Sequence, residues 1–331
     1  MLRWVLYSVL LVSVLADIHV GGALNIFSYF GNLGSVVKVN PHHGASWFYD
    51  HDTVDVFEEV LETRSSPQPL ENPKFNGDFH VQLCDNMDQL QQAFFRLYHI
   101  EGVEKPWRAF TRGLTPTVLA RRLGLNSTFV TGEHGYALVR LSRIHELVRL
   151  TPHTGLRLNN WTAERTRRLV AGQVESVLSF IRRSGSHYVS AYTTGDSLFQ
   201  VYVFTPVMYQ ELKREMSEFE ASKVRLDQVL RFFSPWHAEH LGSIKTSSGN
   251  NSLEQWASVH LRSQLYMFLY PNLLTLHNHP ELLQELNYLL GNNALLSVNL
   301  RTLAHIIKDV GKRLWFQEVL DNHLRLWELN V

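Results

Sequence analysis

Seventeen histidines stand in this chain of 331 residues, and a search for chemistry starts with them. Ser184 and Ser186 flank Gly185 and precede His187, which puts hydroxyl nucleophiles and an imidazole base within four residues. Neighbours on a turn entering a strand alternate sides, and working triads are assembled from distant segments. The spacing therefore predicts that the serines and His187 point apart. His237, Glu239 and His240 have zinc-binding residue types, but histidines at i, i+3 with the acid between them do not match the i, i+4 pair of a metalloprotease helix. His42, His43, Asp50, His51 and Asp52 form a donor-rich run, and His277 with His279 a weak chelate. None has a third ligand at a characteristic spacing, so each reads as a surface or helix-end histidine. The G-x-S-x-G, H-E-x-x-H, P-loop and G-x-G-x-x-G patterns do not occur. The expectation is a non-enzymatic protein with no catalytic residue, no cofactor and no metal.

The stretch that positions Ser184 to His187 is the most organised in the chain, running from Phe180 to Phe204. Upstream of it Val170, Val174, Val177, Leu178 and Ile181 recur at helical spacing, while Arg165, Arg168, Glu175, Arg182 and Arg183 fall mostly on the other side. After Gly185 the residues become β-formers. From Ser197 onward, Leu198, Phe199, Val201, Tyr202, Val203 and Phe204 are too apolar for a strand with one wet face. An amphipathic helix is predicted to deliver a core strand through a glycine turn. There Gly185 closes the helix, His187 and Tyr188 wedge the turn, and Gly195 permits a bend.

The composition, 45% hydrophobic and 19% charged, supports a large core. Lys+Arg and Asp+Glu both number 31, so no global field steers the protein to nucleic acid or to an anionic membrane. Met1 to Arg3 followed by the apolar run Trp4–Leu15 reads as a signal peptide cleaved after Ala16, leaving a single domain over 17–331. The run is shorter than the ~20 residues of a spanning helix. Sequons at Asn126, Asn160 and Asn250 agree with secretion. Cys84 is the only cysteine, which excludes an internal disulfide. It ends the alternating run Phe79, Val81, Leu83 and reads as a half-buried small hydrophobe rather than the source of an intermolecular disulfide.

The remaining elements follow in order. Leu24 to Val39 is Gly-punctuated and β-leaning, a hairpin or irregular strand, while Val56, Phe57, Val60 and Leu61 suggest a helical face. Ser65 to Gly77 is a proline-rich loop. Phe79–Leu83 alternates as a strand, and Asp85 or Asn86 caps a helix bearing Met87, Leu90, Phe94 and Leu97. Thr115 and Pro116 begin another helix that Gly124 ends. Tyr136, Leu138 and Leu141 suggest a strand, passing into a short helix at Ile144, Leu147 and Val148. From Arg140 to Arg183 nine arginines face three acids, either an anion-binding surface or the solvated faces of two helices. Pro206 to Phe233 reads as one charged helix, and 253–269, 281–290 and 300–327 as helices. Strands mixed with helices and then helices alone give an α+β class.

The junction itself resembles the signature of the membrane-attack-complex/perforin (MACPF) superfamily: an aromatic, Gly, Thr or Ser, His, an aromatic, six residues, then Gly-Gly. Gly185, Ser186, His187, Tyr188 and Gly195 match, whereas Ser184 replaces the leading aromatic and Asp196 the second glycine. Over essentially the whole mature chain the sequence is similar to insect members of that superfamily. The resemblance implies a bent, twisted, four-stranded antiparallel sheet flanked by helical clusters, with a helical C-terminal region. It also implies a secreted factor, held around the egg among vitelline-membrane proteins. Such a factor would promote local activation of the receptor tyrosine kinase Torso through its ligand.

Pore formers of the superfamily refold helical clusters into membrane hairpins, and the residues bear on that alternative. Val224, Leu226, Leu230 and Phe232 would line one strand face, which suits a barrel. The same face would carry Arg214, Glu218 and Glu220 into lipid, where a mid-membrane arginine costs about 2 to 4 kcal/mol. A non-lytic regulator touching at most a membrane surface is therefore expected over a pore former or a structural eggshell component.

Overall fold

The apolar run that follows the glycine turn is one 18-residue strand, β10 (His187–Phe204), and the sheet is built on it. The computed structural model describes residues 16–17, 19–27, 37–39, 47–49, 54–66, 79–151, 157–220, 229–247, 251–262, 270–290 and 294–329. Most of the expected signal peptide, the donor residues His42, His43, Asp50, His51 and Asp52, most of the proline-rich loop, residues 221–228 and Asn250 lie outside them. Alternate side chains of β10 enter different clusters: Leu198, Tyr202 and Phe204 one, Phe199, Val201 and Val203 another. Both faces are thus dry, which explains the nearly unbroken apolar run.

Along one edge of β10 runs β9 (Gly135–Leu150), paired antiparallel from Gly135↔Phe204 to Arg149↔Ala191. Beyond it lie β6 (Glu62–Ser65) and β7 (Phe79–Cys84). The opposite edge takes β13 (Ala294–Thr302), then the short β12 (Lys245–Thr246) and β11 (His240–Leu241). Four positions, from β6 and β7 through β9 and β10 to β13, are therefore antiparallel, as the resemblance implies. The full sheet has ten strands. It adds β8 (Tyr98–Ile100), parallel to β13, and β2 (Gly22–Leu24) with β5 (Val54–Asp55) beside the start of β10. Register shifts interrupt the β10 ladders between Val189 and Ala191 and between Thr193 and Gly195, where bulges raise the local twist. A separate three-stranded sheet joins β1 (Ala16–Asp17), β3 (Val37–Val39) and β4 (Trp47–Tyr49).

Helices flank this sheet. Asn86 caps α1 (Met87–Phe94) by accepting from the Gln89 amide, α2 (Arg108–Thr111) is a single turn, and Thr115 caps α3 (Pro116–Leu123), which Gly124 ends at φ +73°. Next come α4 (Asn160–Arg167), α5 (Val174–Ser184), α6 (Pro206–Glu220), α7 (Asn251–His260), α8 (Pro280–Leu289) and α9 (Val310–Leu329). Phe180 on α5 meets Phe316 on α9 edge to face, centroids 5.6 Å apart, in the core cluster under the start of β10. The class is α+β with a helical C-terminal region.

Four expectations are corrected. Ile144, Leu147 and Val148 continue strand β9 instead of starting a helix. Both edges of β9 are paired and Ile144 is 49% exposed, so the helical spacing marked no buried face. Val56 and Phe57 are buried but sit between short strands, and Leu61 is exposed, so no helical face forms. Leu24 and Val39 belong to different sheets, β2 and β3, and form no hairpin with one another. Residues 294–302 are a strand beside β10, with Asn299 and Arg301 exposed between buried Val298, Leu300 and Thr302, and the last helix begins at Val310 rather than Leu300.

Candidate functional site at the helix-to-strand junction

Helix α5 ends where Gly185 adopts φ +90°, donating its amide to the Ile181 carbonyl at 2.9 Å. A Cβ here would lie 2.8 Å from the Leu24 carbonyl oxygen and 2.9 Å from the Leu24 nitrogen, so glycine answers both the dihedral and the approach of β2. Immediately after it, Ser186 donates its amide to the Leu24 carbonyl at 2.9 Å and accepts the Leu303 amide at 3.0 Å. Three chain segments are clasped within two residues.

The side chains close the same point. Ile26 N–H donates to Ser186 Oγ at 3.1 Å, Ser186 Oγ lies 3.0 Å from His187 Nδ1, and His187 Nε2 lies 2.9 Å from the Glu101 carbonyl oxygen. A carbonyl only accepts, so Nε2 carries the ring proton and Nδ1 accepts a hydrogen bond from the Ser186 hydroxyl. The expectation that Ser186 and His187 point apart is therefore overturned: the serine sits in the turn before β10 begins, so strand alternation does not separate the two side chains. The pair is a serine–imidazole couple in geometry, yet both residues are 0% exposed and each polar atom has a partner. Burial drives the His187 pKa down to about 4, against a smaller opposing pull from the Glu101 carbonyl, so the ring is neutral. With no path to solvent, the couple joins segments and has no opening for a substrate.

Glu101, which sequence reasoning missed, completes the clasp. Besides its carbonyl, its carboxylate accepts the Thr302 amide and contacts His305 Nε2, both at 2.8 Å. Burial alone would raise its pKa, but the bonds from His305 and the Thr302 amide outweigh it and hold the carboxyl below its usual value. Its one sequence signal is a turn, Glu101-Gly102, after the strand-like Tyr98–Ile100. Tyr188 is buried edge-on to Phe57, centroids 5.5 Å apart, and burial raises its phenol pKa.

Further along β10, a Cβ on Gly195 would fall 1.9 Å from the Arg143 carbonyl oxygen, at the register shift against β9. Asp196, at the second-glycine position of the pattern, is 4% exposed and lies 3.0 Å from His145 Nε2. Strand β9 thus supplies an ionisable partner for the departing residue. Ser184, at the aromatic position, is buried and receives Arg165 Nη1 at 3.4 Å.

The other candidates stay apart. His240 stacks on Phe129 with centroids 4.6 Å apart, Glu239 faces His134 at 3.5 Å, and His237 contacts Ser234. Among the described residues no three metal-binding side chains converge. His279 heads α8. Cys84 is fully rather than half buried, because α1 and α3 cover that face of β7, and burial pushes its thiol up to about 12. Asn126 is exposed and bonds the Thr128 amide, and Asn160 is exposed at the start of α4. Arg140, Arg143 and Arg149 lie on strand β9, not on a helix. Arg140 is half-buried against the Phe94 ring and donates to the Phe94 carbonyl at 2.9 Å. In α6, Lys213 and Tyr209 bind Asp85 at 2.7 and 2.9 Å, and Glu215 binds Arg231 at 2.8 Å. No described helix is long and apolar enough to cross a membrane.

No family model and no curated protein matches the sequence. Solved structures do. GNIP1Aa from Chromobacterium piscinae aligns over 89% of this chain at 10% identity and a TM-score of 0.44. Astrotactin-2, a vertebrate-specific, perforin-like membrane protein involved in neuronal development, aligns over 87% at 14% identity and 0.33. A Bacteroides thetaiotaomicron protein with a MAC/Perforin domain aligns over 95% at 12% identity and 0.41. The chain spans 51%, 42% and 63% of those chains respectively.

Proposed function

We propose that this chain is a MACPF protein of the Torso-like type, a secreted, non-enzymatic regulator that promotes local activation of the receptor tyrosine kinase Torso through its ligand. The observation that carries this reading is the junction: the residues matching the superfamily pattern form one buried clasp in which His187 and Ser186 are fully occupied. Such a motif maintains a fold and leaves function to the outer surfaces. The resemblance of the whole sequence to insect members supplies the pathway and the eggshell location. Helix α6, which directly follows β10, supports a role without membrane piercing. Two of its charges are paired, Lys213 with Asp85 and Glu215 with Arg231, and refolding into lipid would break both pairs.

The test adds the purified chain to cells bearing receptor and ligand, with receptor phosphorylation and liposome dye release measured on the same preparation. Phosphorylation that depends on the chain, without dye release, is the expected result. Dye release accompanied by ring assembly would replace this reading with the pore former. If phosphorylation is unaffected and eggshells lacking the protein are fragile, it is a structural component.

A further inference from the structure

Helices α4 and α5 diverge around an open cleft of about 560 Å3, within the range of small-ligand sites. Its wall includes Trp161, Arg165, Arg168, Ser179, Phe180 and Arg183, with Asn160 on the rim. Three guanidinium groups meet there against one carboxylate, Glu164, and that carboxylate is already bound to Arg168 at 3.1 Å and to Arg167 at 3.3 Å. Its neighbour Arg182 pairs with Glu175, but Arg183 has no acid partner among the described residues. Arg165 is fixed in place: its guanidinium carbon lies 3.1 Å from the Trp161 ring centroid, and Nη1 reaches Ser184. Burial first, and then the nearby Arg183 and Arg168 charges, lower the Arg165 pKa. Trp161 itself remains 45% exposed, leaving apolar ring surface beside the cations.

A planar guanidinium offers paired donors matched to sulfate and phosphate oxygens, and one already held by stacking loses little freedom on binding. We propose that this cleft binds a polyhydroxylated ring carrying several sulfate or phosphate groups, with Arg165, Arg168 and Arg183 as anion contacts and the exposed Trp161 surface as the platform for the ring. The assignment goes beyond the proposed signalling role and stands or falls separately from it.

Isothermal titration of the full chain tests it with two probes, a heparin-derived hexasaccharide and inositol hexakisphosphate. The protein is first treated with an endoglycosidase so that a glycan at Asn160 cannot mask the rim. Saturable one-to-one binding of at least one probe is expected, weakened at least tenfold in Arg165→Gln/Arg183→Gln. It should stay within twofold in the control Arg121→Gln/Arg325→Gln, which removes the same charge from exposed positions on α3 and α9. The preferred probe tells sulfate from phosphate. Arg183→Gln alone, at an exposed helix position, carries the test should the double variant lose its fold. Absence of binding by both probes, or equal loss in cleft and control variants, would overturn the proposal.

Discussion

At the scale of the residue, the junction turns on one imidazole kept neutral. The folded state holds the His187 pKa near 4 while the unfolded chain titrates near ~6.5, so below that value the unfolded state binds a proton the folded state refuses. The contribution is complete well above pH 6.5 and falls as pH drops toward 4, the loss amounting to about 2 to 3 kcal/mol by pH 4.5. Glu101 acts in the same direction at lower pH, because its depressed carboxyl adds stability above its unfolded value and loses it as acid protonates the folded state. Urea unfolding of wild type and His187→Asn at pH 7.5 and 4.5 measures the difference. The wild type is expected to lose more stability than the variant, and parallel losses would mean that His187 titrates normally. The residue types of this clasp were legible in the sequence. Their contact was not, because Ile26, Glu101 and Leu303 reach Ser186 and His187 from segments that only the fold brings together.

At the scale of the element, β10 is continuous because both its faces and both its edges are covered, and Gly195 marks where its ladder with β9 shifts register. A valine there would overlap the Arg143 backbone, which belongs to the paired interior of the sheet and has nowhere to move. Gly195→Val should cost about 3 kcal/mol or more and abolish the yield of folded protein. Gly113→Ala is the comparison: Gly113 has a positive φ (+75°), which Gly195 does not, but open space around it, and the change should cost only about 1 kcal/mol. A Gly195→Val protein that is obtained in the same yield and melts like wild type would remove the close-approach argument. Elements whose periodicity reflected burial, such as α5, β7 and α3 with its Thr115 cap, were readable in the sequence. The second half of β9 and all of β13 were not, because their partners are distant in sequence and half-exposed apolar residues at i, i+3, i+4 imitate a helix face.

At the scale of the whole molecule, one free thiol reports on the assembled core. Cys84 is 0% exposed beneath α1 and α3, and burial, with Asp85 adding to it, pushes its pKa up to about 12, so the native protein offers almost no thiolate. Labelling by a thiol reagent should be negligible in native buffer and should appear along the same urea transition as loss of circular dichroism. Fast native labelling, or a linked dimer without denaturant, would show this core to be open. The sequence by itself determined the α+β class, the glycine turn between helix and strand and the several helix caps. These depend on local backbone preference and on periodic burial over a few residues. Only the tertiary structure decided that Ser186 and His187 form a closed couple, that Glu101 locks it, that His145 answers Asp196, and that arginines of two helices share one cleft. The couple itself joins neighbours, but Ile26 and Glu101 close it from distant segments, and the other three join groups on separate elements; distance along the chain carries no information about such meetings until the sheet register and the helix packing are set.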